Sequence, residues 1–63
     1  MNAKTNTYEI EGRAYRATSE YEAVKEAYKM ANRIELAGYL GGETWQYNAI
    51  FSSGNACVTV RTI

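Results

Sequence analysis

The chain has 63 residues, 7 basic and 7 acidic side chains, no histidine, no proline and a single cysteine. That length leaves room for one domain, close to the lower size limit for unaided folding. One thiol without histidine excludes an internal disulfide and a closed tetrahedral zinc shell, so packing or a dimer must supply the staple that small domains need. Formal neutrality removes both the strongly basic nucleic-acid binder and the strongly acidic mimic of nucleic acid.

In chain order, Met1 to Asn6 is expected to fray. Tyr8-Glu9-Ile10-Glu11 and Ala14-Tyr15-Arg16-Ala17 alternate apolar with charged or polar residues around Gly12-Arg13. A two-residue type II′ loop with glycine first would pair Ile10 with Tyr15, Tyr8 with Ala17 and Glu9 with Arg16. Ser19 followed by Glu22 is a capping box that starts a helix, and Glu20 and Glu22 suit its positive end. Ala23, Val24, Ala27, Ala31 and Ile34 recur at three- and four-residue spacing. With Gly38 as the C′ residue, they predict a helix over Glu20 to Ala37, edged by Glu20, Tyr28 and Met30.

Tyr39 to Glu43, marked by Gly41-Gly42, reads as a connecting loop. Thr44 to Phe51 reads as a strand with Trp45, Tyr47, Ala49 and Phe51 on one face. Ser52 to Asn55 is a turn cluster, and Ala56 to Ile63 is a β-branched final strand. A four-residue loop would pair Phe51 with Ala56, Ala49 with Val58, Tyr47 with Val60 and Trp45 with Thr62. The predicted fold is α+β with ββαββ order: a hairpin, a helix and a second hairpin, the helix on one face of a four-stranded, mostly antiparallel sheet. The first and last strands are expected as parallel neighbours. That layout is similar to the immunoglobulin-binding modules of streptococcal protein G, an analogy that carries no function.

Catalytic chemistry finds little to work with in this composition. Cys57 lacks a histidine to activate it and reads as a small apolar filler of its strand. Ser52 and Ser53 read as turn residues. The glutamates read as caps and solvated charges, and the chain has no aspartate for a calcium loop. Gly38-Tyr39-Leu40-Gly41-Gly42 lacks the Gly-Lys-Ser/Thr ending of a phosphate cradle and precedes a strand. The expectation is therefore a protein that acts by binding, with no cofactor, no metal and no small-molecule substrate.

Three surfaces are candidates. Lys25, Lys29 and Arg33 lie four residues apart, as a basic ridge along the predicted helix, diluted by Glu22 and Glu26. The sheet face opposite the helix should carry Glu9, Glu11, Arg16, Gln46, Asn48, Thr59 and Arg61 around an apolar island of Ile50, Cys57 and Ile63. That composition resembles an interface, and a homodimer could cover it. Tyr39 and Leu40, in the glycine-flanked loop, could anchor in a partner's pocket.

Short, neutral, rich in aromatics (13%) and without a catalytic constellation, the chain resembles small phage-encoded inhibitor proteins, including anti-CRISPR proteins, in size and general character. That resemblance implies stoichiometric binding to a host protein or protein–nucleic-acid complex. It maps no residue. The alternative expectation is a nucleic-acid-binding or transcription-regulating module, monomeric or dimeric, and a third is a self-associating assembly component. The polar N-terminus and the absence of a long apolar run predict a cytoplasmic, membrane-free chain.

Overall fold

The computed structural model describes residues 4–63, so Met1 to Ala3, the first part of the segment expected to fray, lie outside the described residues. Of the rest of that segment, Lys4 and Thr5 lie outside any helix or strand, and Asn6 opens the first strand, where it pairs with Ala17. The elements run β1 (Asn6–Ile10), β2 (Arg13–Ala17), α1 (Glu20–Ala27), β3 (Arg33–Gly41), β4 (Thr44–Phe51) and β5 (Gly54–Thr62). They form one helix and a five-stranded antiparallel sheet in the order β2-β1-β5-β4-β3. The first and last strands are central neighbours, as expected, but antiparallel: Tyr8 faces Thr62, Glu9 faces Arg61 and Ile10 faces Val60.

Three corrections to the sequence reading follow from the backbone. The predicted helix over Glu20 to Ala37 ends at Ala27, and the chain from Arg33 forms the fifth strand. Tyr28 caps α1 at φ −122° and ψ 60° while its N–H still donates to the Val24 carbonyl at 2.9 Å. Its ring turns down onto Phe51, with centroids 6.3 Å apart, and this anchors the exit from the helix to the sheet. The Asn32 N–H donates to the Ile50 carbonyl at 2.7 Å and starts the return along β4. Ile34 and Leu36 fit a two-residue alternation as well as a helical one, and pairing with the free edge of β4 decides between them. Gly38, read as a helix cap, is a strand residue just after a bulge between Leu36 and Gly38.

Both predicted hairpin registers move by two residues. The β1–β2 turn is Glu11-Gly12, with φ of 53° and 82°, a type I′ geometry in which Tyr8 faces Tyr15 and Glu9 faces Ala14. The β4–β5 turn tightens to Ser52-Ser53, so that Phe51 faces Gly54, Ala49 faces Ala56 and Tyr47 faces Val58. A two-residue slip preserves which face each side chain occupies, and for that reason the expected apolar face survives the altered pairings. The expected Tyr39–Glu43 loop is likewise a hairpin end: β3 runs to Gly41, and Gly42 and Glu43, both at φ 56°, make the turn into β4.

The core lies between α1 and this face. Tyr8, Ile10, Ala23, Val24, Tyr47, Ala49, Val58 and Val60 are buried. Ser19 caps the helix as expected, its hydroxyl accepting from the Glu22 N–H at 3.2 Å. An eight-residue helix does not stand alone in water; its stability comes from laying Ala23 and Val24 on the sheet. It is also short for the area beneath it, about 12 Å against about 30 Å for the nine-residue β3. No helix among the described residues is long and apolar enough to cross a membrane.

Candidate protein-binding surface

The mismatch in length uncovers one corner of the helix side of the sheet. There Tyr47 and Trp45 sit two residues apart on β4, beside Leu36 and Tyr39 of β3. The Tyr39 and Trp45 rings lie 4.5 Å apart at 49°, and Tyr21 of α1 approaches Tyr47 at 6.5 Å. Tyr21, Leu36 and Tyr39 are 40%, 57% and 55% exposed, Trp45 is half-buried and Tyr47 closes the floor. Tyr39 is held rigidly, since its hydroxyl accepts from the Glu43 N–H at 3.2 Å across the turn. Tilted rings with polar tips, fixed by backbone bonds, are the side chains that supply contact area at low entropic cost.

Burial pushes the Tyr47 phenol above its ordinary pKa, helped by the nearby Glu20 carboxylate and Tyr8. Tyr28, on the other side of α1, is pushed up to about 12, first by donating to the Glu11 carboxylate at 2.5 Å, then by burial and by the charge of Glu11.

The opposite face of the sheet brings together five of the expected binding residues. Gln46 faces Thr59, Asn48 faces Cys57, and Arg61 lies on the same face beside Glu9. Arg61 grips the Glu9 carboxylate through two nitrogens, with Nε at 3.1 Å. The Gln46 amide donates to the Cys57 thiol. Cys57 is exposed, which corrects its reading as an apolar filler, and Ile50 is half-buried across from Arg33 and Asn55. Glu11 leaves this face for the β1–β2 turn, where it accepts from Tyr28. Tyr39 sits on the helix side, and Leu40, 56% exposed, falls at the irregularity between Tyr39 and Gly41. The expected residues therefore divide between two surfaces.

The basic ridge is not helical. Lys25 is in the last turn of α1, Lys29 follows the helix and Arg33 opens β3. The three still border one shallow depression of about 110 Å³ with Tyr21, Tyr28 and Asn32. Each cation is already engaged: Lys29 with Glu26 at 3.2 Å, Arg33 with Glu35 at 2.9 Å, and Lys25 over the Tyr21 ring at 5.5 Å. The depression therefore carries a weaker positive field than three free cations would.

Sequence reasoning missed Leu36 because the predicted helix ran through it, and it passed over Tyr21, whose place at the start of α1 is the same in both readings. The period-two run Ile34-Glu35-Leu36 was the signal that could have found Leu36. Compared with protein-family models, with curated proteins and with solved structures, the chain matches none. The class defined by fold and surface is a small α+β domain with an aromatic corner beside an open sheet edge.

Proposed function

We propose that this chain is a non-catalytic protein-binding module, an inhibitor or adaptor that docks a protein, or the protein part of a protein–nucleic-acid complex, on its aromatic corner. An inhibitor of the anti-CRISPR kind, encoded by a phage against a host defence complex, is the specific form of this reading. The observation that supports it is the cluster of Leu36, Tyr39 and Trp45, partly exposed on the β3–β4 strand pair, with Tyr21 of α1 reaching Tyr47 beside them. Tyrosine and tryptophan in such a cluster are the residues that dominate binding energies at interfaces, whereas isolated exposed apolar residues are not.

The test is a tagged pull-down from the lysate of the native host, at moderate salt with nuclease treatment, read by mass spectrometry. Wild type is compared with Leu36→Glu, Tyr39→Ala and the opposite-face pair Gln46→Ala/Thr59→Lys. One stoichiometric protein, retained by the opposite-face variant and lost with the corner variants, is the expected result. Loss only with the opposite-face variant would move the interface to Gln46, Asn48, Ile50, Thr59 and Arg61. Capture that depends on nucleic acid, with affinity falling by about 0.9 log units per log unit of salt for each phosphate engaged, would overturn the reading in favour of nucleic-acid binding.

A further inference from the structure

The two edges of the sheet are built differently. β2 is five residues long and carries Arg13 and Arg16, both exposed. Short length and repeated cations are the means by which edges resist pairing with other chains. β3 is nine residues long and has neither lysine nor proline. Its only charges, Arg33 and Glu35, neutralise each other at 2.9 Å. Leu36, Tyr39 and Leu40 are each more than half exposed along it. Bulges or irregularities after Leu36 and after Tyr39 confine its regular ladder to Arg33 to Leu36.

We infer that the β3 edge pairs antiparallel with β3 of a second copy, about a two-fold axis at Ile34, to form a continuous ten-stranded sheet. The choice of occupant and register comes from charge. A two-fold axis perpendicular to the sheet must pass beside one residue and its own copy. Centred on Arg33 it opposes two arginines, and centred on Glu35 it opposes two glutamates. Centred on Leu36 it carries the ladder through the Ala37 bulge. Centred on Ile34 it sets Arg33 against Glu35 of the second copy, twice by symmetry, and Ile34 against Ile34. Opposite charges directly across a strand pair stabilise it, and like charges destabilise it. Arg33 and Glu35 pair with Ile50 and Asn48 and alternate with the core-side Ile34, so the four charges meet on one side of the seam. On the other face the two aromatic corners come to adjoin across the seam. The dimer needs no foreign partner and stands or falls independently of the proposed function.

The experiment is sedimentation velocity on the purified protein from about 10 µM to about 1 mM, with circular dichroism to confirm folding. Wild type, Arg33→Glu, Glu35→Arg, the swap Arg33→Glu/Glu35→Arg and Leu36→Lys are compared. Wild type is expected to move from monomer to dimer across this range. Each single charge reversal should weaken the dimer by about tenfold, and the swap should restore it, as two altered cross-strand pairs imply. Leu36→Lys, which adds an edge-guarding cation, should leave a folded monomer. A monomer at the highest concentration overturns the inference. So does a dimer indifferent to all four variants, and so does a swap that fails to recover what its parents lose. The Leu36→Lys result decides the matter if a charge variant does not fold.

Discussion

Replacing Tyr28 with phenylalanine removes one oxygen from the point where the helix exit, the first turn and the last core strands meet. The ring stays, and with it the 6.3 Å contact to Phe51 at 58°. The loss is the hydroxyl bond to Glu11 at 2.5 Å. A hydrogen bond to a charged group contributes about 1.5–3 kcal/mol when enclosed. Here the carboxylate sits at a water-exposed rim, and screening reduces the expected cost of Tyr28→Phe to about 1 kcal/mol at neutral pH. In a domain this small that lowers Tm by about 4–8 °C.

The same bond fixes a pH dependence. Tyr28 is raised from 10.0 to about 12 in the folded chain, so folding favours the protonated phenol. Its contribution is complete below the unfolded value of 10.0 and is lost as pH rises through about 12. The full displacement would correspond to roughly 2.7 kcal/mol for an enclosed group, and to about 1 kcal/mol with screening at the rim. Urea melts of wild type and Tyr28→Phe from about pH 8 upward isolate this contribution, because the two proteins differ only in the Tyr28 hydroxyl. The two curves should converge between the unfolded value of 10.0 and the folded value of about 12. Curves that stay parallel, or a variant as stable as wild type at neutral pH, would refute the assignment of Tyr28 as the clamp on the helix exit.

Val24→Ala, at a fully buried helix position, should cost about 1.5–2 kcal/mol, from two lost methylenes and a small cavity less the gain in helix propensity. The readout is a lower urea midpoint at unchanged slope, and a cost below about 0.5 kcal/mol would mean that α1 does not dock through Val24. Exchanging Gly42-Glu43 for Asn-Gly should raise stability by about 0.5–1 kcal/mol, because both positions hold φ of 56° and glutamate is strained there. A thermal melt checks it, and any loss of stability would count against the left-handed backbone at both turn positions. Cys57→Ser should change stability by less than about 0.5 kcal/mol, and the native thiol, being exposed, should react with a thiol reagent without prior unfolding.

Much of this fold was legible in the sequence because period-two alternation is unambiguous where one face is buried. Tyr8 and Ile10, Tyr47 and Ala49, and Val58 and Val60 all point as their spacing predicts. Ser19 and Glu22 located the helix start to the residue. Registers were less legible: moving the glycine from first to second place in the Glu11-Gly12 turn shifts the pairing by two and leaves every face unchanged. The segment from Tyr28 to Gly41 was misread because alanines and Ile34 satisfy both periods, and only the ladder from β4 separates them. The same ambiguity hid half of the candidate site. Gln46, Asn48, Ile50, Thr59 and Arg61 share a face by alternation alone, but Tyr39 meets Trp45 only once β3 exists.

The position of β5 bears on how the chain acquires its shape. It lies between β1 and β4, so without it the sheet is two separate hairpins, β1–β2 and β3–β4, joined only by a helix too short to persist unaided. The β1–β5 pairing brings together residues as far apart in sequence as Glu9 and Arg61, 52 residues. Closure of that distance sets a slow, non-local step. The native sheet is therefore continuous only once β5 lies between the two hairpins, so the chain's two halves are joined into one fold by its final strand.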